Sequence, residues 1–156
     1  MVISYTAEGN VAAKLKAATF SLGATVRVDE YELPGAGEYD VHSVHVEAAN
    51  LDACTAYWLH AEDLHIAYVT QPDPSISKQD EAASTDILVA YLRSEDKAED
   101  LKGILKSMEP GYLFLIGPGV TSDAATLLSL PTHEGASLKV QKSSLPLEGT
   151  ILVLPA

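Results

Sequence analysis

Tyr112–Leu130 reads YLFLIGPGVTSDAATLLSL, and the way this stretch divides decides the fold. Five apolar residues in succession, Tyr112 to Ile116, are too few for a helix and rich in β-formers, so they predict a strand covered on both faces. Pro118 has no N–H for a ladder and Gly117 and Gly119 tolerate positive φ, so the strand stops and the chain turns. Thr121 or Ser122 then caps a helix in which Asp123 suits the dipole and Val120, Ala124, Leu127 and Leu128 form one stripe. Pro131 ends it.

A strand, a glycine turn and a helix start bearing hydroxyls are the parts of an anion site, which makes Gly117, Gly119, Thr121 and Ser122 the candidate ligand-binding residues. The turn is explained more simply by the needs of the backbone. The P-loop lysine spacing and the GxGxxG fingerprint are both missing, and Asp123 would repel an anion. The string GPGVTS, Gly117 to Ser122, resembles the GPGTT-like segment of NAD kinases. The likeness ends with those residues, because the glycine–aspartate loop of such enzymes is absent, and it implies nothing for the rest of the chain.

Working outward, Ile87–Leu92 reads as an apolar strand, and Ser94 as the cap of a helix whose inward stripe is Ala98, Leu101, Leu105 and Met108. Glu95, Asp96, Glu99 and Asp100 precede Lys102 and Lys106, as the dipole favours, and Pro110-Gly111 stops the helix. Ile87–Ile116 is thereby predicted to be a βαβ unit. Further upstream, Val2–Thr6 reads as a strand. Asn10 caps a predicted helix with Val11, Leu15, Ala18 and Leu22 at helical spacing and Gly23 just past its end.

Val26 to Leu33 reads as a strand whose phase slips near Asp29-Glu30, and Val41–Ala48 as its partner. Leu51–His60 fits a helix through Leu51, Cys54 and Trp58, and also a strand through Ala53, Thr55, Tyr57 and Leu59; the helix is the expectation. Leu64–Val69 is a strand. Residues 71–84, opened by two prolines, are expected to be a mobile loop or a soft boundary. Leu138 and Val140 mark one more strand and Thr150–Leu154 another. The expected fold class is α/β (α+β mixed): a single domain over 1–156, with a single-layer mixed β-sheet, two or three packed helices and the βαβ unit in its C-terminal half.

Ten basic and twenty-two acidic residues give a net charge of −12, which repels a phosphate backbone and argues against direct binding of nucleic acid. One cysteine, Cys54, cannot make an intrachain disulfide, and with no basic neighbour in sequence its thiol reads as packing. No signal-peptide pattern opens the chain and no run is long enough to span a membrane, so a cytoplasmic protein, or one assembled into a particle after intracellular synthesis, is expected.

His42 and His45 point to opposite faces of a strand, and His60 and His65 lie about 140° apart on a helix, so neither pair chelates as drawn. No metal, cofactor or catalytic set is expected. Ser122, Asp123 and His133 are close in sequence but lack the nucleophile elbow and the separate elements of a triad.

The uncharged tail, with Thr150, Ile151, Leu152, Val153 and Leu154 as candidate oligomer contacts, points instead to assembly: a non-enzymatic protein–protein module of a homo-oligomer, such as a virion or tail component. The alternatives are a small enzyme or binding module for a phosphorylated ligand at Gly117–Ser122, and an acidic inhibitor of a basic or nucleic-acid-binding protein.

Overall fold

In the computed structural model, which describes residues 1–155, fourteen strands form two sheets. β1 (Val2–Tyr5), β2 (Val11–Lys14), β3 (Thr19–Leu22), β4 (Val26–Val28) and β5 (Tyr31–Leu33) follow one another as an antiparallel meander. A late strand, β13 (Ser137–Lys139), pairs on the outer side of β1 and completes a six-stranded sheet.

The second sheet has eight strands. β6 (Gly37–Val41), β7 (Val44–Asn50), β8 (Thr55–Ala61) and β9 (Leu64–Val69) are antiparallel hairpins. Beyond β9 the sheet turns parallel through β10 (Ile87–Tyr91), β11 (Tyr112–Ile116), β14 (Ile151–Val153) and β12 (Thr132–His133). Two helices, α1 (Ala98–Met108) and α2 (Ser122–Leu128), pack on this second sheet.

Two cores follow from these layers. Between the sheets lie Ile3, Val11, Phe20, Leu22, Val46, Leu59, Ile66, Tyr68, Val89 and Phe114, all essentially buried. On the other face of the larger sheet, Leu88, Ala90, Leu113, Leu115 and Leu152 meet Leu101, Ile104, Met108, Ala124 and Leu128 of the helices. β10 and β11 are therefore apolar at nearly every position because both of their faces are covered, and the run at Tyr112–Ile116 is buried throughout.

The expected fold class is corrected: the molecule is a mostly-β two-sheet sandwich, with helices on one outer face, rather than a single sheet bearing helices. Two errors carried that expectation. The predicted helix at Val11–Leu22 is the hairpin β2–β3, in which Val11 and Ala13, then Phe20 and Leu22, point into the sandwich. Four-residue strands are too short to display a two-residue period, and the turn, closed by Leu15 N–H donating to the Ala18 carbonyl (2.9 Å), contains no glycine. The expected helix at Leu51–His60 is instead a loop followed by β8.

The slip at Asp29-Glu30 is a tight turn between β4 and β5, with Asp29 at φ 51. Residues 71–84 contain two 3-10 turns, Pro74–Lys78 and Asp80–Ser84, which bury Ile76 and Ala82 against the helical layer. β10, α1 and β11 form a parallel strand–helix–strand unit.

Candidate functional site

β9, β10 and β11 run parallel and end together, and open α/β sheets bind ligands outside such carboxyl ends. A groove of about 480 Å³ lies there, lined by Gly23, Ala24, Tyr68, Thr70, Tyr91 and Arg93. A second hollow of about 330 Å³ adjoins it through Tyr91 and includes Glu8, Asn10, Gly117, Pro118 and Val120. Tyr68 donates from its hydroxyl to the Gly23 carbonyl at 2.8 Å, tying β9 to the facing sheet. Thr70 Oγ1 accepts from Thr55 N–H at 3.0 Å. Arg93 has neither an ion pair nor a side-chain hydrogen bond among the described residues.

Of the predicted ligand-binding residues, only Gly117 lines this cleft. At φ 102 it lies where a Cβ would stand 2.5 Å from the Leu92 carbonyl oxygen, and a Cβ at Gly119 would stand 2.6 Å from the Ser94 backbone. Both glycines thus let the β11–α2 turn lie against the β10–α1 connection. The Gly119 amide donates to Leu92 O (2.8 Å) and the Val120 amide to Gly117 O (3.2 Å). Thr121 caps α2 by accepting from Ala124 N–H and donates to Glu95 Oε2 at 2.8 Å, so its hydroxyl is committed. Ser122 is exposed on the first turn of a helix only seven residues long.

Of the predicted oligomer contacts, Thr150, Leu152 and Val153 are buried, and Ile151 and Leu154 are half-buried. Ile151–Val153 form β14, hydrogen-bonded between β11 and β12, with Leu152 and Val153 wholly buried. Thr150 donates to Pro110 O at 2.7 Å, and Leu154 is half-buried against the helical core. Ser122, Asp123 and His133 do not assemble: His133 is paired to the Ser137 carbonyl and lies on β12.

Cys54 is half-buried. Burial first, and then the Asp73 carboxylate, push its thiol up to about 11, so at neutral pH it is an unreactive thiol. Burial raises the pKa of Asp73 itself, but hydrogen bonds from Ser75, the Ala53 amide and Cys54 outweigh that and hold it below the usual range.

A second cluster, toward the opposite end of β9, escaped sequence reasoning. His45, His60 and His65 stand in register across β7, β8 and β9, with Asp40 next in the row on β6. The His60 and His65 rings stack, 4.2 Å between centroids and 6° between planes. His65 is held below the usual imidazole range by burial and then by His60, whereas Asp40 and then Glu47 raise His45. The helix reading of Leu51–His60 hid this row. The available signal was HAEDLH, in which Glu62-Asp63 make a two-residue turn with φ 50 and 63.

No protein-family model matches the sequence, and no curated protein is similar to it. Among solved structures, the fold is similar to that of a Thermotoga maritima protein named as a candidate Zn-dependent hydrolase of the metallo-beta-lactamase superfamily. The TM-score is 0.71 with 12% identity, over 100% of each chain. The expectation of a non-enzymatic assembly module, with its virion or tail setting, is corrected by this likeness: the architecture is shared end to end with a protein carrying a hydrolase name.

The zinc in that name does not fit the strand-end cleft of this chain. The cleft offers one carboxylate, Glu8, and no histidine or cysteine.

Proposed function

We propose that the chain is a small enzyme or ligand-binding domain that takes a small phosphorylated molecule in the strand-end cleft. One observation carries this reading. In a chain of net charge −12, Arg93 is a cation without a carboxylate partner among the described residues, and it lines a groove at the ends of three parallel strands. Arginine matches a phosphate in a bidentate, charge-assisted way, and such bonds contribute about 1.5–3 kcal/mol. Tyr91 supplies an aromatic wall beside it, and the backbone at Gly117-Pro118 forms the far end of the adjoining hollow. The hydrolase name of the structural neighbour favours small-molecule chemistry over a scaffold role.

Thermal-shift measurements with inorganic phosphate, mononucleotides and sugar phosphates test the proposal. At least one should raise the melting temperature, and Arg93→Gln should weaken that ligand by about 10-fold or more. A panel with no shift, or a shift indifferent to Arg93→Gln, would sink the reading. Gly119→Val is unsuitable for this purpose, since its side chain would collide with the Ser94 backbone.

A further inference from the structure

We propose that Glu38, His45 and Glu47 hold a divalent first-row transition cation of the zinc type on the outer face of β6 and β7, in a site separate from the strand-end cleft. One donor atom from each of the three lies within 4.8 Å of the others. A tetrahedral ion with bonds of about 2.1 Å sets its ligands about 3.4 Å apart, so small side-chain rotations close the set.

The second shell is already in place. His45 Nδ1 is 2.8 Å from Asp40 Oδ1, which leaves Nε2 facing Glu47 Oε1 at 3.4 Å. A carboxylate on one ring nitrogen with the other turned toward oxygen donors is the arrangement that orients metal-binding histidines. The strands also oppose Glu38 directly to Glu47. Like charges at paired positions are unfavourable, and a cation between them removes the conflict.

Trp58 borders a groove of about 230 Å³ together with His45, Glu47, His60, His65 and Glu81. It is only 9% exposed, and its indole N–H, shut off from solvent, has no acceptor. Such a donor calls for an acceptor. Three protein ligands leave a zinc-type ion one open position, which a water or a small anionic ligand would fill. The mixed imidazole and carboxylate donors suit zinc and its neighbours better than calcium, which takes six to eight oxygens.

Trp58 is the sole tryptophan of the chain, so its fluorescence reports on this groove alone. Co²⁺ should quench that emission with one-to-one stoichiometry, Zn²⁺ should compete, and Zn²⁺ affinity by calorimetry should fall at least ~10-fold in His45→Ala and in Glu47→Gln. Asp40→Asn, which leaves the three ligands in place but removes the carboxylate that orients His45, should lose about 10-fold or more as well. His42→Ala and Arg93→Gln should bind as the parent does; Arg93→Gln separates this site from the cleft reading. Glu47→Gln is isosteric and decides the matter if His45→Ala does not fold, the metal-free melting temperature serving as the check. Absence of quenching, binding unchanged in Glu47→Gln, or binding that depends on His60 and His65 but not on Glu47 would each overturn the proposal.

Discussion

Tyr5→Phe removes one oxygen atom and should destabilise the protein by about 2–3 kcal/mol. The ladder between β11 and β14 runs out at Phe114 and Val153. One residue further on, the Leu115 amide donates to the Tyr5 hydroxyl at 2.9 Å, and that hydroxyl lies 2.6 Å from the Val153 carbonyl and 3.0 Å from that of Leu115. With a single proton to give, the phenol serves chiefly Val153. A side chain of the first sheet thus completes the unfinished edge of a strand pair in the second. The variant leaves an amide and a carbonyl without partners, each costing about 1–3 kcal/mol when shut from water. The site is part-buried, so water recovers some of this, which gives the stated total. For a chain of this length the melting temperature should fall by about 4–12 °C. Urea unfolding should show a lower midpoint at unchanged m-value. Tyr5→Leu, which also removes the ring packed 5.6 Å from Phe114, should lose more. A Tyr5→Phe variant that melts within about 1 °C of the parent, or one matching Tyr5→Leu, would refute the role assigned to the hydroxyl.

Other outcomes follow from the same geometry. Gly119→Ala should cost several kcal/mol, because something must shift where its Cβ meets the Ser94 backbone at 2.6 Å; Gly103→Ala, with open space around it, should be neutral or stabilising, and equal melting temperatures for the two would contradict this. Cys54 should react slowly with iodoacetamide at pH 7.5, and Asp73→Asn should speed the reaction by removing the charge that opposes the thiolate; prompt alkylation of the folded parent would be the contrary result. The hydrogen bond between them lowers Asp29 and raises His42, so the pair stabilises the fold above the unfolded pKa of the aspartate, about 3.8, and below that of the histidine, about 6.5. That stability is lost as pH falls through the lowered aspartate value and as it rises through the raised histidine value. The melting difference between the parent and His42→Ala should therefore peak near pH 5–6 and shrink on either side; a flat profile would be evidence against the pair.

The C-terminal half was the more legible part of the chain. Strands buried on both faces write themselves as unbroken apolar runs, and α1 carries its stripe, its charge gradient and its Pro110 stop openly. The N-terminal half was opaque because its hairpins turn without the usual signature. His42-Ser43 and Glu62-Asp63 occupy positive φ without a glycine, so nothing local announced a reversal. Val11–Leu22 then matched a helical stripe by coincidence. Of the sites, the glycine turn was visible but its glycines serve close backbone approach, and only Gly117 reaches the cleft. Arg93 and the Glu38–His45–Glu47 set could be found only once the strand register was known, since pairing across strands brings together residues that share no sequence motif.

The position of the last strands bears on how the molecule comes into being. β1 is flanked by β13, and β14 slots between β11 and β12, so neither sheet is complete until residues 137–153 have been made. A ribosome-bound chain lacking them would display an uncompleted meander and a gap beside β11, both prone to capture foreign strands. Protection by chaperones should matter most at that moment of synthesis, and truncation ahead of β13 should yield insoluble material rather than a slightly weakened protein.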